Sequence, residues 1–202
     1  MSDEAELGPY LRRLPIGERL PVGDLAQDEL FPFEGEIQVR RLEKPRLPEP
    51  RRTGEPGADP CPNCGNLEAF AIWSNEGWIL RTLSGEPHSL PTVLMLISRA
   101  HHDLEDLPAT LAGELGFVLQ RVARAIATLP DVGRVHIDRR GDDSSEHFHA
   151  WFLARPRGMW QMRGPLLALW DEVLPKVPAG EWRASLTQVA NAMAAEDGMT
   201  LI

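Results

Sequence analysis

The sequence predicts an α+β domain built on an antiparallel sheet with flanking helices. Short apolar runs bounded by turn residues recur between residues 69 and 154, a pattern typical of strands. One longer segment, 108–129, places its apolar residues three and four positions apart, which is helical spacing. Hairpin-linked strands that are interrupted by one long helix favour an antiparallel sheet over parallel crossover units.

Each predicted element follows from its own pattern. The first two runs are joined across Ser74-Asn75-Glu76-Gly77, a composition typical of a tight turn. The third run is apolar throughout, which indicates a central strand. In chain order, the predicted elements are strands at 69–73, 78–83 and 92–98, a helix at 108–129, strands at 134–138 and 146–154, and helical segments near 164–174 and 180–195.

The last predicted strand carries the pattern with the most chemical content, His147-Phe148-His149-Ala150-Trp151. Because side chains alternate along a strand, His147 and His149 are expected side by side on one face, with Phe148 and Ala150 on the other. Two neighbouring imidazoles can divide roles, with one bound to a metal and the other acting as nucleophile or base. We therefore expect chemistry on this strand.

A second motif, Cys61-Pro62-Asn63-Cys64 followed by Gly65, is typical of a turn in which two thiolates bind one tetrahedral zinc ion. The chain has only two cysteines, so the remaining ligands must be histidines or carboxylates. A redox dithiol and a pair of ordinary buried cysteines are the alternatives. His101 and His102, which end the third strand, are candidate ligands. A metal here would tie the turn to the sheet, so its role would be structural.

Composition limits the partners. The chain has 202 residues, 43% of them hydrophobic, which suits one globular domain with appendages. A net charge of −9 argues against nucleic-acid and anionic-membrane binding, which need an excess of basic groups. The acidic start of the chain is unlike a signal peptide, and no apolar run approaches the roughly 20 residues of a membrane helix. We expect no nucleic-acid or membrane partner and a cytoplasmic location, where thiols stay reduced.

Changes in composition along the chain predict three regions. Residues 1–58 are rich in proline and arginine and favour an extended arm. Residues 59–160 hold the regular strands, both motifs and the long helix. Residues 161–202 form a C-terminal helical extension with apolar faces suited to packing.

Four pieces, which together span about half of the chain, carry a family resemblance in their order and spacing. They are Cys61-Pro62-Asn63-Cys64-Gly65-Asn66, Trp73-Ser74-Asn75-Glu76-Gly77-Trp78, Leu96-Ile97-Ser98-Arg99-Ala100-His101 and His147-Phe148-His149-Ala150-Trp151. The chain resembles the histidine-triad superfamily, nearest its galactose-1-phosphate uridylyltransferase branch. The resemblance implies an antiparallel sheet flanked by helices and pairing as a homodimer.

The resemblance also implies roles for individual residues. His149 would attack the α-phosphorus of a nucleotide or nucleotide sugar, as in nucleotidyltransferases and nucleotide phosphohydrolases. Asn75 and Trp78 would lie near the nucleoside. His102 stays an alternative to His101, because one inserted residue fits the pattern as well. The zinc ligands carried over are Cys61, Cys64, His101 and His147.

Three departures from the family pattern bear on catalysis. One is the short loop before the last motif, Gly141-Asp142-Asp143-Ser144-Ser145-Glu146, which lacks the family's usual glutamine and carries two aspartates that would repel a polyphosphate. The third motif position, usually His or Gln, is Trp151, whose indole N–H can donate a hydrogen bond but cannot accept one. Arg139 and Arg140 replace expected asparagines, and with Ser145 they could stabilise charge on a phosphate. These departures leave a second functional class open: a catalytically inactive, zinc-stabilised module that binds a nucleotide or a protein.

Overall fold

The computed structural model describes residues 15–21, 33, 35–41, 43–140 and 145–202. The chain divides into two compact units, Met1–Pro50 and Arg51–Ile202. Within its described residues the first unit has no helix or strand, and its contacts include a hydrogen bond from Arg41 to the carbonyl of Gly17. The three-region organisation expected from composition stays a prediction.

The second unit contains the regular structure. Each predicted strand and helix has a counterpart within a few residues, whereas the short elements α1 and β6 were not predicted. Short 3₁₀ helices also occur at Leu104–Asp106 and Trp160–Met162. In chain order, the elements are α1 (Pro62–Gly65), β1 (Ala71–Ser74), β2 (Trp78–Arg81), β3 (Val93–Ser98), α2 (Ala109–Ala127), β4 (Val132–Asp138), β5 (His149–Pro156), α3 (Leu167–Val173), α4 (Ala179–Ala194) and β6 (Met199–Thr200).

The strands form one sheet in the order β4-β5-β3-β2-β1-β6, and every neighbouring pair is antiparallel. The predicted fold class, an antiparallel sheet with flanking helices, is confirmed. The apolar run at 92–98 is central, as predicted: β3 lies between β5 and β2, and all six of its residues are buried.

The two faces of the sheet have different coverings. Helices α2 and α4 pack against one face, where Ala150, Phe152 and Ala154 of β5 enter the main core. Residues at the alternate positions of β5, among them His149 and Trp151, lie on the opposite face. The helical packing therefore leaves His149 and Trp151 on the face away from α2 and α4.

The C-terminal segment closes one edge of the sheet. The indole Nε1–H of Trp73 donates to the carbonyl of Asp197 at 2.8 Å, and the N–H of Leu201 donates to the carbonyl of Ile72 at 2.9 Å. No helix in the described part of the chain combines the length and apolarity needed to cross a bilayer.

Candidate metal centre and histidine strand

Two cysteines and two histidines from separate segments converge at one end of the sheet. Cys61 precedes α1, Cys64 lies within α1, His101 follows β3 and His147 precedes β5. Their ligand atoms all lie within 4.8 Å of one another. The Nδ1 atom of His147 is 3.6 Å from Sγ of Cys61 and 3.5 Å from Sγ of Cys64.

These separations match a tetrahedral ion. Zinc bonds of about 2.3 Å to sulfur and 2.0–2.1 Å to nitrogen, at the tetrahedral angle, place a sulfur and a nitrogen ligand about 3.6 Å apart. The separation between Cys64 Sγ and His101 Nδ1, 3.2 Å, is slightly shorter. Two thiolates and two imidazoles are a donor set typical of structural zinc. The residues present therefore fit the metal that the motif predicts.

The pKa values of the two thiols are shifted in opposite directions. Burial raises the pKa of Cys61, but hydrogen bonds from the Ser145 hydroxyl, 3.2 Å away, and from backbone N–H groups outweigh it and lower the pKa below its ordinary value. Burial and the adjacent Cys61 thiolate raise the pKa of Cys64 to about 11. Two neighbouring thiolates repel each other, and a bound dication would stabilise both.

His147 lies outside the strand, which corrects the prediction that it shares a strand face with His149. Strand β5 begins at His149, and the chain bends before it. The bend is fixed by two hydrogen bonds: the N–H of His147 donates to Oγ of Ser145 at 3.1 Å, and the N–H of Phe148 donates to the carbonyl of His102 at 2.6 Å. The ring of His147 thereby reaches the sulfur atoms.

The electrostatics of His147 suit a metal ligand. Its ring is fully buried, and its Nε2–H donates to the carbonyl of Ser98 at 2.7 Å. Burial, together with the charges of His101, His149 and Arg81, lowers the pKa of His147 despite that hydrogen bond. The neutral imidazole then presents its Nδ1 lone pair to the cluster.

Of the two histidines that follow β3, the structure brings His101 to the cluster. Nε2 of His101 lies 3.5 Å from a carboxylate oxygen of Glu146, an outer partner of the kind that orients metal-bound imidazoles. His102 instead places Nδ1 3.9 Å from the carboxylate of Asp106. The alternative ligand left open by the sequence is therefore not in the cluster.

Arg81 is an outer residue of the cluster that the motif analysis missed. Its guanidinium donates to the carbonyl of Asn66 at 3.1 Å and to Oδ1 of Asn63 at 3.0 Å, so that it joins β2 to the cysteine turn. The available signal was strand alternation, which places Arg81 on the same sheet face as Ile79 and Met95.

His149 lies on β5 and faces away from helices α2 and α4. Its Nδ1–H donates to the carbonyl of His147 at 2.9 Å, which fixes the tautomer whose lone pair is on Nε2. The residue is 4% exposed and pairs across the sheet with Ile97. Its ring meets the indole of Trp151 edge to face, with centroids 6.2 Å apart and planes at 87°.

Solved histidine-triad proteins share this architecture. The histidine triad protein of Bradyrhizobium japonicum superposes with a TM-score of 0.50 and 17% identity, over 63% of this chain and 93% of that protein. The fold is the histidine-triad fold. A zinc-bound histidine triad family protein from Mycobacterium smegmatis superposes with a TM-score of 0.49 and 17% identity, over 68% of this chain and 97% of that protein.

Comparisons by sequence add nothing to this histidine-triad assignment. No protein-family model matches the chain. No curated protein matches it either. Identities this low establish the fold alone, and the structural matches do not single out the galactose-1-phosphate uridylyltransferase branch.

Asn75 and Trp78, which were predicted to lie near a nucleoside, make contacts that stabilise the fold. Asn75 closes the β1–β2 turn, where its Oδ1 accepts the N–H groups of Gly77 at 3.1 Å and Trp78 at 2.9 Å. Trp78 is fully buried in the core on the helical side and meets Phe148 edge-on, with ring centroids 5.5 Å apart. A base could reach the indole of Trp78 only if this core opened.

The residues predicted to bind phosphate also have partners. Ser145 is buried and contacts Cys61, as described above, so it belongs to the metal cluster. Arg139 pairs with the buried carboxylate of Asp103 and lies over the ring of Phe148 at 5.8 Å. Arg140 is exposed and lies 3.7 Å from Asp138. The acidic loop residues 142 and 143 lie outside the described part of the chain.

Proposed function

We propose that this histidine-triad domain binds a structural zinc ion and acts on a nucleotide or nucleotide sugar through His149. The zinc proposal is carried by one observation: two sulfur and two nitrogen atoms from three segments lie at the separations of a tetrahedral site. All four positions are occupied by protein ligands, which is typical of structural rather than catalytic zinc. When bound, the ion would hold the cysteine turn, the end of β3 and the approach to β5 together.

The catalytic proposal rests on the orientation of His149. Because Nδ1–H is bonded to the carbonyl of His147, Nε2 carries the lone pair and is the nucleophile. Nε2 forms a bond to the α-phosphorus, and the bond from phosphorus to the leaving-group oxygen or nitrogen breaks with its electron pair. Water or a second acceptor then displaces the nucleotidyl group from the imidazole. Since His147 is a proposed zinc ligand, the metal would also fix the carbonyl that orients His149.

A second function is favoured by the surroundings of the same histidine. His149 is 4% exposed, and the neighbouring Trp151 cannot transfer a proton to a leaving group. Both features suit a zinc-stabilised module that binds a nucleotide or a protein without turning it over.

Zinc binding is tested by elemental analysis of purified protein with a matched pair of variants. We expect about one zinc per chain in the wild type and in His102→Ala, and loss of the metal in His101→Ala, because only His101 lies in the cluster. Equal zinc content in the two variants would contradict the ligand assignment.

Catalysis is tested with nucleotide sugars, dinucleoside polyphosphates and nucleoside phosphoramidates. We expect turnover and an acid-labile nucleotidyl adduct by intact mass in the zinc-loaded wild type and in His136→Ala, a histidine on the neighbouring strand β4. Both signals should disappear in His149→Ala. Nucleotide binding by calorimetry without turnover or adduct in the wild type would establish the non-catalytic module instead.

Two further elements belong to this proposal: pairing as a homodimer, which the family resemblance implies, and a cytoplasmic location, which the composition favours. Light scattering of the purified chain tests the first, with twice the monomer mass expected. Fractionation of cells producing the full chain tests the second.

A further inference from the structure

The backbone of residues Arg52–Asp59, which we call the latch, passes over the proposed metal ligands. The latch is a compact turn in which the N–H of Gly54 donates to the carbonyl of Asp59 at 2.8 Å. It joins the segment before β5 through a parallel bridge between Thr53 and Ser145, where the N–H of Glu146 donates to the carbonyl of Thr53 at 3.0 Å. The latch therefore contacts the chain that carries His147.

Gly54 lies close to two of the proposed ligands. A methyl group in place of its hydrogen would lie 2.6 Å from Cε1 of His101 and 3.1 Å from Cβ of Cys61. The backbone also has φ of +96°, which side chains rarely adopt. Two proposed ligands thus form the surface on which the latch packs.

A salt bridge fixes the start of the latch to the domain. Nη1 of Arg52 donates to Oδ2 of Asp103 at 2.5 Å, and its Nε donates to Glu55 within the latch at 2.9 Å. Asp103 is 5% exposed and caps the 3₁₀ helix that follows the pair His101-His102. This anchor too is attached to a segment that carries a metal ligand.

The latch has little stability of its own. None of its residues is buried, whereas β3 and the core under α2 and α4 are almost fully so. Segments with few buried contacts open at lower free energy than the core. Their position depends on the surface beneath them, here the ring of His101, the side chain of Cys61 and the bend at Ser145.

We propose that the latch is metal-dependent: it closes over the cluster when zinc fixes His101 and Cys61, and it opens when the metal is lost while the sheet stays folded. This inference rests on the proposed zinc site. Coupling between two equilibria is reciprocal, so that disabling the latch weakens zinc binding by the same factor by which removing zinc opens the latch.

Hydrogen exchange measures the opening directly on the full chain, with and without a zinc chelator. The amides of Gly54 and Glu146 report the latch, and those of the β3–β5 pair Leu96 and Ala150 report the sheet. We expect chelation to speed exchange at the latch by roughly 5- to 150-fold with the sheet unchanged. Unchanged latch exchange, or equal acceleration in the sheet, would overturn the inference.

Two glycines provide a matched test of the reverse direction. Gly54 and Gly57 both have positive φ, but a methyl group at Gly57 would meet only the side chain of Arg51. Zinc titration against a competing chelator should show that Gly54→Ala binds zinc roughly 5- to 150-fold more weakly than the wild type. The zinc affinity of Gly57→Ala should fall far less. Equal zinc affinities in the two variants would refute the coupling.

A second pair covers the case in which Gly54→Ala fails to fold. Arg52→Gln removes the anchor to Asp103, and Arg134→Gln removes an exposed arginine of β4 that donates to the carbonyl of Gly133 in its own strand. Weaker zinc binding is expected in Arg52→Gln alone, and equal binding in both contradicts the inference. A wild type that binds no zinc would refute the proposed zinc site itself. Tight zinc binding, together with latch exchange that does not respond to the chelator, would refute only this inference.

Discussion

His147 and Ser98 form a buried hydrogen bond that orients the proposed metal ligand. The imidazole Nε2–H donates to the backbone carbonyl of Ser98 at 2.7 Å, at the end of the fully buried strand β3. Since the acceptor belongs to the backbone, the orientation of the ring is set by the sheet. A ligand held in this way points its Nδ1 at the sulfur atoms before metal arrives, which reduces the ordering that zinc binding requires.

Zinc binding is expected to stabilise the folded chain through these ligands. At free zinc a thousandfold above the dissociation constant, mass action adds about 4 kcal/mol to the free energy of unfolding. Urea unfolding should show this gain in the wild type and none in Cys61→Ser. A variant stabilised by zinc as much as the wild type would exclude Cys61 as a ligand.

Arg81 is expected to strengthen zinc binding from outside the ligand set. It donates to Asn63 and Asn66 on either side of Cys64, so its removal frees the cysteine turn and takes a positive charge from beside the thiolates. Arg81→Met should weaken zinc by about 10- to 100-fold, the usual cost of losing an outer partner. Arg81→Lys keeps the charge but not the two-donor geometry, so its zinc affinity should lie between those of the wild type and Arg81→Met. Unaltered zinc affinity in Arg81→Met would show that the turn needs no anchor.

Trp78 is expected to stabilise the core rather than a ligand. It is fully buried against Phe148 and the helical side of the sheet. Trp78→Ala should lower the free energy of unfolding by about 3–5 kcal/mol, the usual cost of removing a large aromatic side chain from a core. Urea unfolding measures this loss. A loss below about 1 kcal/mol would contradict the packing described for Trp78.

The sequence predicted the sheet because periodicity is a local property. Alternation and helical spacing marked the main strands and helices to within a few residues. The two motifs named three of the four residues that the structure brings together, and the family resemblance added His101 with His102 as an alternative. Periodicity cannot detect α1 and β6, which have four and two residues.

What the sequence could not predict depends on contacts between distant segments. His147 leaves the strand because Ser145 and the carbonyl of His102 hold the chain in a bend, and nothing in the local pattern names either partner. In the same way, Gly54 reads as one more residue of a proline- and glycine-rich tract until its approach to His101 is seen. Strand alternation alone could have placed Trp78 on the sheet face opposite to that of Ile79 and Arg81.

Trp151 is expected to donate to a ligand. Its Nε1–H is buried, and no described residue accepts it, an arrangement that costs about 1–3 kcal/mol. Trp151→Phe removes that group, so the free energy of unfolding should stay equal or rise slightly. Calorimetry with a nucleotide should show weaker binding in Trp151→Phe if the indole donates to phosphate. Unaltered affinity would remove Trp151 from the ligand site.

Asp171 is expected to make part of the stability depend on pH. Its Oδ1 accepts the N–H groups of Ser89 and Leu90, both at 2.8 Å, and Oδ2 lies 3.1 Å from Nδ1 of His88. Burial would raise the pKa of Asp171, but the hydrogen bonds from His88 and these two N–H groups hold the pKa below its ordinary value. The carboxylate therefore ties α3 to the segment before β3.

The sign of the pH effect follows from this lowered pKa. A carboxyl whose pKa is lower in the folded chain contributes stability above its unfolded pKa of about 3.9, and that stability is lost as the pH falls through the folded value. The difference in unfolding free energy between wild type and Asp171→Asn should be about 1–3 kcal/mol at neutral pH and shrink toward zero in acid below the folded pKa. Glu172→Gln, an exposed neighbour on α3, is the control and should show no such difference. A gap between wild type and Asp171→Asn that stays constant into acid would mean that the carboxylate charge is not what joins α3 to the segment before β3.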